Sequence, residues 1–302
     1  MSPTKFVLRF GILGLTLYLC SIYLGEGWHI TDIEKPFVYR QLVPLLSLCI
    51  STILGVSETT ATQIVVVLST IGLVESSRYL YNSIYPQSIR TDMFVLLHVC
   101  LAFLFAMFPI HTYDIPTVFL FTWCLGLIKS FKVRTYLVVF PFVVLNRETA
   151  FLLIILFAVF FWGRLNHKVV GALTASQVAL YLSIQFIVRY IFRDAPGTET
   201  TITFVNFVTS ATGKYFIVFS HMLIGLLTIS LIHSKWYLLP HFLRDAVVIF
   251  LPVLTTLYFM FGYPFELRVF LEVLPVITLI GVQNGKELRF NEGTPDATTT
   301  GV

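Results

Sequence analysis

About ten apolar stretches, separated by very short polar joints, run through almost the whole chain and constrain its fold more than any other feature. A helix needs about 20 apolar residues to cross roughly 30 Å of hydrocarbon, and within lipid its backbone must satisfy its own hydrogen bonds. The pattern therefore predicts an all-α, polytopic integral membrane protein with about ten transmembrane helices. The stretches lie at residues 6–25, 62–76, 93–110, 115–129, 135–146, 150–163, 168–191, 215–233, 245–262 and 267–283.

Composition agrees with this class. The chain has 302 residues, of which 57% are hydrophobic and only 12% are charged, whereas soluble domains carry about 25% charged residues. Because apolar stretches extend from residue 6 to residue 283, we predict one transmembrane helical domain over 1–283 and a disordered cytoplasmic tail over 284–302. The first stretch is long enough to be a retained span rather than a cleaved signal peptide.

The basic residues predict the orientation. With the amino terminus inside, the inner joints hold 13 of the 20 Lys and Arg residues, as the positive-inside rule requires. We therefore expect a protein of the plasma (inner) membrane with both termini cytoplasmic. Because the basic residues are scattered over many joints rather than gathered on one face, no nucleic-acid partner is expected. The inner residues are Lys5, Arg9, Arg78, Arg90, Lys129, Lys132, Arg134, Arg164, Lys168, Lys235, Arg244, Lys286 and Arg289.

One more apolar stretch, residues 36–55, does not fit this count, because a full crossing there would invert every later joint. We predict an interfacial or re-entrant helix on the outer side, with Pro36 and Pro44 breaking its start, and leave open whether it crosses. The stretches 115–129, 135–146 and 150–163 are short, since 12 to 15 residues cover only about 18–22 Å as a helix. A recess that reaches into the membrane is expected around them.

Acidic residues concentrate on the predicted outer side, where orientation does not require them. The first outer loop carries Asp32 and Glu34 just before an aromatic, proline-containing segment. Either carboxylate could act as a general base toward a hydroxyl or amine, or help to hold a divalent cation such as Mg or Mn; ordinary surface charge is the alternative. In the second outer joint, Asp114 is placed either to cap the following helix or to take part in chemistry.

Two further joints carry charge where it is costly. Arg147 and Glu148 lie in the connection between two short helices, so we expect them below the headgroup level, either in an internal salt bridge or facing a wet cavity. Glu266 and Arg268 open the last stretch, and Glu272 follows four residues after Arg268. On a helix this spacing predicts that Arg268 and Glu272 share a face, where they could pair. A guanidinium there is also suited to bind a phosphate group bidentately.

Taken in order, these segments resemble the type C glycosyltransferases. The resemblance rests on Asp32 and Glu34, Pro36-Phe37-Val38-Tyr39-Arg40-Gln41-Leu42-Val43-Pro44, Tyr113-Asp114-Ile115-Pro116, Asn146-Arg147-Glu148-Thr149 and Glu266-Leu267-Arg268. It implies a GT-C-like fold and transfer of a sugar from a polyprenyl-phosphate-linked donor to a lipid, glycan or protein acceptor at the non-cytoplasmic face.

The same resemblance implies roles for single residues. Asp32 or Glu34 would be the base, Asp114 a second acidic residue near the acceptor or a metal, and Arg147 and Arg268 the contacts to the carrier phosphate. The other residues expected to bind substrate are Arg40, His111, Tyr113, Glu148 and Glu266.

Two functions of other classes remain open. A transporter or flippase for a lipid-linked or anionic substrate would carry charge near the middle of the membrane, with glycine or proline breaks in paired spans. A non-catalytic membrane scaffold would not explain charges at short helix joints. The sequence leaves open the sugar, the carrier length, the acceptor, any metal requirement and the oligomeric state.

Overall fold

The computed structural model of the chain describes residues 3–25, 39–86, 90–107, 111–195, 215–261 and 267–282. Within this part every regular element is helical, which confirms the predicted all-α class. Short 3-10 turns occupy Glu148–Ala150, Trp236–Leu238 and Leu267–Phe270. The α-helices are α1 (Pro3–Gly25), α2 (Leu42–Leu54), α3 (Glu58–Ile84), α4 (Thr91–Ala106), α5 (Asp114–Lys129), α6 (Val133–Asn146), α7 (Phe151–Phe161), α8 (His167–Ile191), α9 (Tyr215–Lys235), α10 (His241–Phe261) and α11 (Leu274–Val282).

Three of the described helices, α3, α8 and α10, are long and apolar enough to cross a membrane. Several other apolar helices are shorter, and α5 and α6 have only 16 and 14 residues, which cover about 24 and 21 Å. Large apolar side chains such as Leu182 and Phe186 are exposed on α8, as expected of a surface that faces lipid. These features are typical of a membrane protein, whereas the count of ten spans remains a proposal.

Several predicted boundaries are wrong. The stretch 62–76 is only the middle of α3, which begins earlier because the Ser57 hydroxyl accepts a hydrogen bond from the Thr60 amide at 3.1 Å. The stretch 267–283 is not one helix, since a 3-10 turn precedes the nine-residue α11. Pro44 does not break α2 but lies in its first turn, where a missing amide donor has little effect.

Helix α5 lies at the centre of the bundle, where it packs against α3 and α6, and most of its side chains are buried. Two glycines allow α3 and α5 to approach closely. A Cβ atom on Gly72 would lie 2.7 Å from the ring of Phe119, and one on Gly126 would lie 2.7 Å from the ring of Tyr79. This packing fixes the position of Asp114, the first residue of α5.

The helices α1, α4, α6 and α8 end at the same end of the bundle, where α5 and α7 begin. Tyr23, near the end of α1, donates a hydrogen bond to the carbonyl of His111, just before α5. Asn146, the last residue of α6, donates to the carbonyl of Tyr113 at 3.2 Å. We call this end, which contains Asp114, Arg147 and Arg268, the site end.

Helix α2 also belongs to the site end. The hydroxyl of Thr62 in α3 donates to that of Ser47 in α2 at 2.9 Å, and Val43 packs with Val65 beside Tyr113. From the first pair to the second, the residue number falls in α2 and rises in α3. Helix α2 therefore lies antiparallel to the first part of α3. A helix is thus present within the predicted stretch 36–55, whereas its side of the membrane and its relation to the bilayer stay predictions.

Candidate functional site

A buried ion network occupies the site end, with Arg147 at its centre. Arg147 follows α6 in extended conformation, and its Nη1 donates to Oδ1 of Asp114 at 3.0 Å. Its Nε lies 2.9 Å from Oε1 of Glu272, and its Nη2 donates to the carbonyl of Arg268 at 3.2 Å. All three nitrogen atoms of the Arg147 guanidinium are therefore engaged within the protein.

Arg268 is the second cation of the network. Its Nη1 donates to the hydroxyl of Tyr113 at 3.1 Å and lies 4.0 Å from Oδ2 of Asp114. Asp114 thus lies between two guanidinium groups. Arg147 and Arg268 are only 5% and 2% exposed, and both Asp114 and Glu272 are fully buried. Burial of four charges is tolerated because each has an oppositely charged neighbour; a single member left unpaired would be costly.

The predicted pairing of Arg268 with Glu272 is wrong. Glu272 pairs instead with Arg147, and its Oε1 also accepts a hydrogen bond from the hydroxyl of Thr149 at 2.6 Å. The segment Leu267–Phe270 is a 3-10 turn with about three residues per turn. Arg268 lies in this turn and Glu272 lies beyond it, in the irregular stretch before α11, so the α-helical spacing of four residues does not bring the two side chains onto one face.

For two other predictions the structure decides between the alternatives. Asp114 is the first residue of α5, yet its carboxylate is engaged by Arg147, so capping alone does not describe its role. Arg147 forms an internal salt bridge, which was one of the two possibilities for this joint. A buried salt bridge at a helix joint does not exclude a chemical role, because active sites hold their charged groups in the same way.

Arg40 and Glu148 form the less buried rim of the site. The Arg40 Nε lies 3.4 Å from Oε2 of Glu148, and the Arg40 guanidinium lies 4.3 Å from the centroid of the Tyr113 ring. The side chains of Arg40 and Glu148 are 12% and 25% exposed. Tyr181 of α8 donates to the Glu148 carbonyl at 2.9 Å, which fixes this joint to a third helix. The rim therefore offers a partly accessible guanidinium next to the buried network.

The segment His111–Tyr113, which precedes α5, is held by contacts within itself and with α6. The rings of His111 and Tyr113 are stacked with centroids 5.1 Å apart. Asn146 donates to the Tyr113 carbonyl and to the hydroxyl of Thr117, the latter at 2.7 Å. Tyr113 therefore has a fixed position from which its ring faces Arg40 and its hydroxyl accepts a hydrogen bond from Arg268.

An apolar groove of about 300 Å³ lies next to this segment, between α2, α3, α5 and α6. Its walls include Val43 and Val65, the residues that pack with Tyr113. The groove is lined by Leu42, Val43, Leu46, Val65, Ser69, Pro116, Phe119, Leu120, Trp123, Val138, Val139 and Phe142.

Three predicted site residues, Asp32, Glu34 and Glu266, lie outside the described residues. The described residues that flank the first of these segments, Tyr23 and Arg40, both contact the His111–Tyr113 segment. Within the described part no group of three His, Cys, Asp or Glu side chains is placed to hold a metal ion. The two buried carboxylates are engaged by Arg147, so the residues present there do not fit a divalent cation.

The structure thus brings together Arg40, His111, Tyr113, Asp114, Arg147, Glu148 and Arg268. Sequence reasoning missed Tyr181 and the true partner of Glu272, because the first lies in an apolar helix without a motif and the second depends on tertiary contacts. Comparison of the chain with protein-family models, with curated proteins and with solved structures gives no match. Functional inference consequently rests on these residues and on their geometry.

Proposed function

We propose that the chain is a membrane glycosyltransferase that moves a sugar from a polyprenyl-phosphate-linked donor to a lipid, glycan or protein acceptor at the non-cytoplasmic face. Such a reaction would be a step in building a cell-envelope glycan. The observation that carries the proposal is the convergence of Asp114, Arg147 and Arg268, which are far apart in the sequence but in contact at one end of the bundle.

The chemistry of the transfer suits this arrangement. A hydroxyl or amine of the acceptor attacks the anomeric carbon, the bond from that carbon to the phosphate oxygen breaks, and the polyprenyl phosphate leaves while a base takes the acceptor proton. Negative charge grows on the leaving phosphate, and fixed cations near it stabilise the transition state more than the ground state. Arg40, over the face of the Tyr113 ring, and Arg268, at the Tyr113 hydroxyl, are the cations we assign to that phosphate.

Arg147 has a different role in this proposal from the one implied by the resemblance. Its three guanidinium nitrogens are engaged by Asp114, Glu272 and a backbone carbonyl, so a phosphate would have to displace one of these partners. We assign Arg147 as a positioning residue that holds the Asp114 carboxylate in place through the contact at 3.0 Å. Asp114 would then orient the acceptor, and Asp32 or Glu34 remains the proposed base.

The apolar groove supports the choice of a lipid-linked donor. It adjoins Tyr113, and its walls come from the short helices α5 and α6 and from α2 and α3. The recess predicted around the short central stretches therefore has a counterpart beside the charged residues. A prenyl chain in this groove would bring its phosphate to the rim formed by Arg40 and Glu148.

The alternative is a transporter or flippase for a lipid-linked or anionic substrate. Proline residues inside two helices, Pro141 in α6 and Pro252 in α10, favour it, because transporters use broken helices. The ion network favours the transferase, because it lies where helices begin and end rather than midway along a span. Formation of a new glycoside distinguishes the two, since a transporter returns its substrate chemically unchanged.

The experiment uses the full chain in liposomes and supplies a panel of prenyl-phosphate sugars. It measures two quantities: the prenyl phosphate released, and the sugar transferred to acceptors in a membrane extract. Arg268→Lys keeps the charge but loses the planar fork, so we expect turnover to fall roughly 10- to 100-fold, as for loss of one charge-assisted hydrogen bond. The matched control, Arg193→Lys, changes an exposed arginine paired with Asp194 and should keep full activity. Unchanged turnover of Arg268→Lys, or translocation without glycoside formation, would refute the proposal.

A further inference from the structure

The end of the bundle opposite the site end carries several cations that form no ion pair with a carboxylate in the part of the chain that the structure describes. Three connections meet there: the turn from α5 to α6, the turn from α7 to α8, and the segment that leads into α10. The ring of Phe131 in the first lies 5.5 Å from Phe160 at the end of α7, and Phe160 lies 5.1 Å from Phe242 of α10. These aromatic contacts bring the charges of all three connections onto one surface, which we call the basic patch: Lys129, Lys132, Arg134, Arg164, Lys168 and Arg244.

The basic patch has almost no acidic partner. Asp245, next to Arg244 near the start of α10, lies within electrostatic range of Arg164 and Arg244. None of the six cations forms an ion pair within the described part of the chain. Lys129 and Arg164 are even close enough to repel each other. Like charges gathered in this way favour the binding of an anion from outside the chain.

Orientation in the membrane does not by itself explain the patch. Elsewhere at the same end, Arg9 and Arg78 lie 3.8 Å from the carboxylate of Asp92, and Arg78 also pairs with Glu75. The positive-inside rule requires basic joints, but it does not require that cations from three joints be packed together while their neighbours are paired. The acids that pair with Arg9 and Arg78 thus lie on α3 and α4, away from the three connections of the basic patch.

Exposed aromatic side chains lie among the cations. Tyr237, Trp162 and Phe131 are 86%, 65% and 50% exposed, and the Trp162 ring packs against that of His167 at 4.9 Å. Aromatic rings beside Lys and Arg are typical of a surface at the headgroup level of a bilayer, where the ring enters the apolar boundary and the cation meets the headgroup. A soluble anion such as free phosphate has no apolar part that would contact these rings.

We infer that the basic patch is a binding surface for the headgroups of anionic phospholipids in the leaflet at this end. Lys132, Arg134 and Lys168 are exposed, and the headgroup phosphates would be their partners. Arg164 and Arg244 donate to the carbonyls of Phe160 and Tyr237, which holds their guanidinium groups at the surface. This inference does not depend on the proposed enzymatic reaction.

The test measures lipid preference at Trp162. The full chain, with its other three tryptophans replaced by phenylalanine, is reconstituted in phosphatidylcholine vesicles that contain increasing amounts of brominated phosphatidylglycerol, whose bromine atoms quench nearby tryptophan. The reciprocal mixture, with bromine on phosphatidylcholine, gives the relative association constant of the two lipids. We expect phosphatidylglycerol to be preferred, and the preference to weaken as salt screens the charges.

The double variant Arg134→Gln, Lys168→Gln removes two exposed cations that form no side-chain hydrogen bond in the described part of the chain. A cation near an anionic surface contributes about 1 kcal/mol, or about fivefold in affinity, so the relative association constant should fall toward parity by at least fivefold. The matched control is Arg189→Gln, Arg193→Gln, which removes two exposed cations at the other end of α8 and should leave the constant unchanged. Equal quenching by both lipids in the parent protein, or an equal loss in the control, would overturn the inference.

Discussion

Replacement of Arg147 by methionine is the sharpest perturbation of the site end. It keeps much of the side-chain volume but removes the partner shared by two carboxylates, Asp114 and Glu272, that are fully buried. Removal of one member of a buried ion pair typically costs about 3–5 kcal/mol, because the other member is left charged and desolvated. At about 2–4 °C per kcal/mol, we expect Arg147→Met to lower the unfolding temperature by roughly 6–20 °C.

The chain contains its own probes for this measurement. Cys20 and Cys124 are buried free thiols, so a thiol-reactive fluorescent dye added to the protein in detergent reports their exposure on heating. Cys49 is exposed and is replaced by serine to remove background. The matched control is Arg193→Met, which breaks an exposed pair with Asp194 and should change stability by no more than about 1 kcal/mol.

A second substitution tests the cause of the loss. If the cost comes from stranded negative charge, Glu272→Gln in the Arg147→Met background removes one stranded carboxylate and should recover part of the lost stability. The two substitutions would then be less damaging together than the sum of their separate effects, with a coupling of about 0.5–3 kcal/mol. An Arg147→Met protein that unfolds at the temperature of the Arg193→Met control, or two strictly additive effects, would refute the buried network.

Two other substitutions have defined outcomes. Asp32→Asn should abolish turnover and spare donor binding, because it removes the proposed base and leaves the arginines assigned to the phosphate unchanged. Loss of turnover in Glu34→Gln alone would assign the base to Glu34 instead. Gly126→Ala should lower the free energy of unfolding by about 1–3 kcal/mol, because the new methyl group would lie 2.7 Å from the ring of Tyr79. Gly171→Ala, which meets nothing within 4 Å, is its control, and equal thermal midpoints for the two variants would contradict the close packing of α3 and α5.

The helical class and the grouping of charged joints were predictable from the sequence. Alternation of apolar stretches with short joints places the start of one helix and the end of the next at the same end of a bundle, so Asp114 and Arg147 could be expected together. Arg268 followed from the same alternation, although its segment is a 3-10 turn rather than the start of a continuous helix.

The pairing within the cluster was not predictable. Local spacing favoured Arg268 with Glu272, whereas the tertiary fold pairs Glu272 with Arg147, because a 3-10 turn and an irregular stretch replace the continuous α-helix on which that spacing depends. The contacts of Arg40 with Glu148 and Tyr113 join segments that are far apart in the sequence and carry no mutual signal in a single chain. The basic patch was not predictable either, because the positive-inside rule accounts for each of its cations separately and does not show that they lie on one surface.

The position of a bound prenyl phosphate in an experimental density map tests the central claim most directly. The account predicts that the phosphate lies within hydrogen-bonding distance, about 3 Å, of the guanidinium groups of Arg40 and Arg268. The prenyl chain should then occupy the groove between α2, α3, α5 and α6. A phosphate held only at the opposite end, among Lys132, Arg134 and Lys168, would contradict the assignment of the site end as the place of reaction.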